Sequence, residues 1–111
     1  MKVISPRIFV RQLCWLLCCT ISTVLAAEPS SARQKELLHL LKNDCGACHG
    51  LTLKGGLGPA LLPDSLSGKT DEFLVSTILN GRKGTPMPPW QVFMNHAEAV
   101  WLVGVLRKGK P

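Results

Sequence analysis

An all-α fold of three to four helices follows from three features of the sequence. Apolar residues recur at helical spacing in three stretches, each stretch opens on a capping side chain, and strand-like alternation is almost absent. The length of 111 residues, 46% of them hydrophobic, suits one compact domain and excludes a disordered tail. Aromatics amount to only 5% and Tyr is absent, so a short chain must find core material besides large side chains. That shortage points to a staple or a cofactor.

Lys2, Arg7 and Arg11 precede an apolar run from Leu13 to Leu25 that closes on Ala26 and Ala27, the pattern of a secretory signal peptide. Val24 and Ala26 place the cut after Ala26, with Ala27 as second choice. Residues 1–26 are therefore expected to be a leader, and residues 27–111 an exported, periplasmic domain. The run is shorter than the ~20 residues of a spanning helix, so no membrane span is expected in the mature chain. Leu17 and Cys18, standing before Cys18 and Cys19, are not the small residues of a lipid-anchor site. Loss of the leader removes Cys14, Cys18 and Cys19, leaves Cys45 and Cys48, and lowers the formal net charge from +6 to +3. Little case for nucleic acid remains, and two thiols in an oxidising compartment must be oxidised or otherwise occupied.

In the mature chain, Ser31 with Gln34 reads as a capping box, and Leu37, Leu38 and Leu41 carry the stripe of a first helix over 32–44. Gly50, Gly55, Gly56, Gly58, Pro59, Pro63 and Gly68 then forbid a long element, predicting a loop from Gly50 to Lys69. A loop of that length in a small domain must wrap something. Thr70 caps a second helix with Asp71 and Glu72 in its first turn and Phe73, Leu74, Thr77 and Ile78 on its inner face; Gly81 ends it. After a loop from Arg82 to Val92 rich in proline, Asn95 and Glu98 form a capping box for a last helix reaching Lys108. Ala99 to Leu106 is apolar all round, which fits core packing. Gly104 with Trp101 suggests a close backbone approach. Arg107, Lys108 and Lys110 read as a short basic tail.

The chemistry lies in Cys45-Gly46-Ala47-Cys48-His49. C-x-x-C-H accepts one covalently attached c-type haem, because positions i, i+3 and i+4 of a helix share a face: two sulfurs reach the vinyl groups and the imidazole turns to the iron. A redox disulfide would want a βαβ setting, and structural zinc would want four ligands where only His39 and His96 could be added. The second axial ligand is expected from Met87, held extended in Thr85-Pro86-Met87-Pro88-Pro89-Trp90. A thioether opposite histidine favours electron transfer over oxygen chemistry. Met94 reads as a staple beside Asn95, and His39 and His96 as surface or packing residues.

With Gly58-Pro59-Ala60-Leu61 and Gly84-Thr85-Pro86-Met87-Pro88-Pro89-Trp90, this motif resembles the single-haem class I cytochromes c over nearly the whole mature chain. The run Cys48 to Leu53 and the segment Gly81 to Trp90 are similar to the small cytochromes encoded beside dissimilatory nitrite reductase in denitrifying bacteria. The resemblance implies a cytochrome c-like fold around a covalent haem c, with the Pro59 carbonyl accepting a hydrogen bond from His49 and with His49 and Met87 on the iron. The family's usual glycine and aromatic pair in the first helix is replaced by Leu37, Leu38, His39 and Leu40. The function implied is that of a periplasmic electron carrier rather than an enzyme, loaded by haem-attachment machinery and donating to nitrite reductase. The alternatives are an auxiliary role in maturing that reductase's d-type haem, and a haem enzyme or sensor with an open sixth position. Lys54, Arg82 and Lys83 are expected to form a modestly basic rim that guides docking.

Overall fold

The computed structural model describes residues 27–109 and 111; the leader expected at 1–26, and Lys110, lie outside the described residues. Helix α1 (Ser31–Leu40) runs through a π-helical turn (Leu41–Cys45) into α2 (Gly46–His49), forming one continuous rod. It is followed by α3 (Pro63–Leu66), α4 (Asp71–Asn80) and α5 (His96–Lys108), and the described residues contain no strand. The fold is therefore all-α, with four helical rods.

Local chemistry explains the boundaries. Ser30, extended at φ −57° and ψ 156°, caps α1 by accepting from Arg33 N. Ser31 is already helical and the Gln34 amide donates to Pro29 O, so the capping box expected at Ser31 and Gln34 does not form. The rod also passes the expected end at residue 44. At the π turn Gly46 N–H donates to Leu41 O, five residues back, and helix continues to His49. The loop from Gly50 to Lys69 is interrupted by α3, which Pro63 opens from within its first turn. Thr70 caps α4 through Phe73 N, and the box at Asn95 and Glu98 is complete in both directions.

Leu37, Leu41, Leu74, Val75, Leu102 and Val103 belong to the buried core where the rod, α4 and α5 meet. Nothing lies within 4 Å of a Cβ built on Gly104, so the backbone approach expected there is absent among the described residues; α5 packs instead through Ala99, Leu102, Val103 and Leu106.

Two arginines tie the helices together. Arg33 donates to Glu98 at 2.7 Å and to Phe93 O at 2.6 Å, joining α1 to the start of α5. Arg107 is no free tail charge: it donates to Leu66 O at 2.8 Å, to Lys69 O and to Asp71, closing α5 onto the segment between α3 and α4.

Candidate functional site

The rod delivers Cys45, Cys48 and His49 to one wall of an open cleft of about 550 Å³. That volume is ordinary for a cofactor site, which spans ~300–1,000 Å³. Both cysteines are half-buried, and they are not joined to each other. Burial, reinforced by the neighbouring Asp44 carboxylate, pushes the Cys45 thiol up to about 11. The reactive thiol of an exchanging pair is shifted downward, whereas Cys45 is shifted the other way. Nor do any three His, Cys, Asp or Glu side chains converge among the described residues as a zinc site would require.

His49 is the one buried polar side chain among the described residues, 8% exposed, and its Nδ1 lies 2.6 Å from Pro59 O. A carbonyl can only accept, so Nδ1 is the donor in this bond and Nε2 is the ring nitrogen that Pro59 leaves unengaged. A metal-ligating imidazole is oriented in this way. The loop after α2 folds back to make this contact: Gly55 N donates to His49 O and Gly58 N to Cys48 O, both at 2.8 Å. A Cβ on Gly58 would stand 2.7 Å from His49 Cε1 and 2.8 Å from Nδ1. Only glycine lets the loop lie against the ring. Sequence reading missed this contact, and its one visible signal was a glycine directly before Pro59.

Met87 lines the same cleft from the loop that follows α4. That loop is docked on the C-terminal end of α4 by Trp90 N to Ile78 O at 3.0 Å and Gln91 N to Leu79 O at 3.2 Å. Phe73, Leu74, Thr77 and Ile78, the expected inner face of α4, all line the cleft. Phe73 is nonetheless 53% exposed, because its face looks into the cleft rather than into the core. Cys45, Cys48, His49, Pro59 and Met87 are thus brought together along one cavity. Met94 is not among them: it is 3% exposed in the core. His39 and His96 are exposed and stand outside the cleft.

The rim is mixed rather than uniformly basic. Arg82 and Lys69 line the cleft, but so does Asp44, while Lys54 and Lys83 are exposed on the loops beyond it. An apolar cleft, two cysteines on one wall and an imidazole whose Nε2 is left unengaged by Pro59 together fit a flat, tethered porphyrin.

The chain matches, over residues 32–104, the protein family described as cytochrome c oxidase, cbb3-type, subunit III. It is 50% identical to cytochrome c55X of Pseudomonas aeruginosa over 92 residues, which is 83% of this chain and 77% of that protein. Among solved structures it is similar to the c-type cytochrome NirC, with TM-score 0.72 and 56% identity, covering 73% of this chain and 95% of the other. It is also similar to part of the dihydro-heme d1 dehydrogenase NirN in complex with DHE, with TM-score 0.60 and 38% identity. That match covers 67% of this chain but 16% of NirN.

Proposed function

The chain belongs to the c-type cytochromes and carries covalently bound haem c; we propose that it is a periplasmic single-electron carrier that delivers electrons to dissimilatory nitrite reductase. The observation that carries this reading is the oriented imidazole, with His49 Nδ1 bound at 2.6 Å to Pro59 O in a cleft that also holds both thiols and Met87. In this reading Cys45 and Cys48 would form the thioethers, and His49 Nε2 and the Met87 sulfur would hold the iron. Bound haem supplies a one-electron iron couple. The Pro59 carbonyl keeps the proton on Nδ1, so the imidazole holds its donor nitrogen in one orientation whichever way the electron moves. The apolar residues of the cleft would pack against the porphyrin, and Met87 would take the position that a haem enzyme or sensor would leave open.

Export supplies the compartment. Residues 1–26 are the proposed leader, and the N-terminus of secreted protein should begin at Ala27 or Glu28. Docking to the partner is weak and guided by local charge at Arg82, Lys69, Lys54 and Lys83. Electron transfer to nitrite reductase should slow as salt rises; a flat dependence removes the steering.

The likeness to part of dihydro-heme d1 dehydrogenase favours a second reading, in which the carrier serves maturation of the d-type haem. Deleting the gene separates the two. A complete reductase that is slow to receive electrons supports delivery, whereas a reductase lacking only its d-type haem supports maturation. The primary test is a pyridine haemochrome spectrum with intact mass on protein exported from a host with haem-attachment machinery. One covalent haem per chain is expected, and Met87→Ala should abolish the weak red-edge absorption of a methionine-ligated ferric haem. Colourless protein with free thiols refutes the reading.

A further inference from the structure

We infer that Gly81 is a positioning residue for the sixth ligand: its bare α-carbon is the surface against which the Met87 segment is set. The inference rests on the proposal that Met87 is that ligand. Gly81 follows the last residue of α4 at φ 67° and ψ −169°. An ordinary helix-ending glycine is left-handed in both angles. This combination instead falls in a region that essentially only glycine occupies.

What faces it is backbone. A Cβ on Gly81 would stand 2.6 Å from Pro88 C and 2.7 Å from both Met87 O and Pro89 N. None of these atoms is the free end of a side chain, so the segment itself would have to move. It is also pinned at this point, since Arg82 N donates to Met87 O at 3.1 Å and Thr85 Oγ1 donates to Arg82 O at 2.7 Å. Gly84, in the same loop and also at positive φ, meets nothing within 4 Å. Gly84 merely turns the chain; Gly81 touches the residue that bears the ligand. Displacing Met87 O displaces the residue whose sulfur must reach the iron, while His49 and both cysteines belong to a different element and keep their places.

The test uses the exported, haem-loaded chain with Gly81→Ala, Met87→Ala, the double variant and, as a control, Gly109→Ala. Gly109 shares the positive φ, at 63°, but a Cβ there would approach Pro63 and not the methionine loop. Gly81→Ala should keep its covalent haem by mass and its helical signal. It should lose at least about half of the methionine-dependent red-edge band and bind imidazole at the ferric haem roughly tenfold more tightly, as strain of this kind predicts. Gly109→Ala should change neither readout, and Gly81→Ala should add nothing in the Met87→Ala background. A folded Gly81→Ala protein with the original band and imidazole affinity overturns the inference. So does loss of the whole helical signal, or an equal effect from Gly109→Ala, because Gly81 would then support the fold at large. If Met87→Ala itself leaves the band intact, the ligand assignment fails and the inference falls with it. If only Gly81→Ala is silent, the assignment stands and the inference alone is wrong.

Discussion

Gly58→Ala puts a methyl group where the imidazole of His49 already lies. The added carbon would sit 2.7 Å from Cε1, against an ordinary contact that begins at 3.4 Å, so ring and loop must separate by at least about 0.7 Å. The ring cannot retreat freely. Its Nδ1 is bound at 2.6 Å to Pro59 O, and Pro59 is the residue next to the new methyl group. Separation by that amount stretches the bond toward about 3.3 Å and weakens it. Overpacking of this kind costs ~1–3 kcal/mol and the weakened hydrogen bond ~0.5–1.5 kcal/mol more. A sum of ~1.5–4.5 kcal/mol, at about 4–8 °C per kcal/mol for a domain of this size, lowers the melting temperature by roughly 6–36 °C. The assay is thermal unfolding of the ferric, haem-loaded protein followed by helical circular dichroism and visible absorbance together, with the reduction potential measured below the transition. A less basic imidazole stabilises the ferric state less, so the potential should rise. A melting temperature within about 3 °C of the parent, with an unchanged potential, would refute the reasoning that the loop and the ring are mutually fixed.

Arg107→Ala removes the donor to Leu66 O, Lys69 O and Asp71 at once and should cost ~1–3 kcal/mol, whereas Asp71→Asn, at an exposed partner, should cost under about 1 kcal/mol. Chemical denaturation of the loaded protein checks the difference. The Glu98 carboxyl is held below the usual carboxylate range, first by the Arg33 guanidinium and then by Asn95 N–H. Because its folded value is the lower one, this contribution is complete above the ordinary carboxylate value and fades as pH falls through the folded value. Glu98→Gln should therefore destabilise at neutral pH by about 1–2 kcal/mol and flatten the acid limb of a stability profile against pH. Withholding haem, by replacing both Cys45 and Cys48 with serine, should leave a chain with much reduced helical signal and no sharp thermal transition.

The helices that declare themselves in the sequence are those whose signals are local. Thr70 and Asn95 cap α4 and α5 where their side chains can reach a backbone N–H three residues on, and Gly81 stops α4. Adjacent serines offer the same chemistry, so nothing in the sequence distinguishes Ser30 from Ser31; the choice is made by the extended backbone at Ser30. The π turn was illegible because a one-residue slip between Leu41 and Gly46 leaves the apolar spacing upstream unaltered. Helix α3 was hidden among glycines and prolines that argue against regular structure, although Pro63 is itself a good opening residue. Cys45, Cys48 and His49 were legible because their spacing is their chemistry. The contacts of Gly58 with His49 and of Gly81 with Met87 were not, since both depend on a chain that returns after several residues. Arg107 read as a tail charge because its partners lie 36 to 41 residues away.

The two walls of the cleft are built independently. Cys45, Cys48 and His49 end a helical rod, and a loop closing on the same residues through Gly55 N and Gly58 N fixes the imidazole without help from α4. Met87 belongs to a loop pinned on α4 at Ile78 and Leu79. The walls meet through the shared core and at the far ends of the helices, where Arg33 and Arg107 join α5 to its neighbours. A thioether would also be the weaker of the two iron donors proposed above. Disturbance of the α4 side should therefore loosen one ligand and leave the other, whereas disturbance at Gly58 or Pro59 strikes the attachment wall itself. That separation predicts different patterns of failure. Variants around Gly81 should lose the methionine-dependent band well below the temperature at which helix is lost, and Gly58→Ala should lose both together.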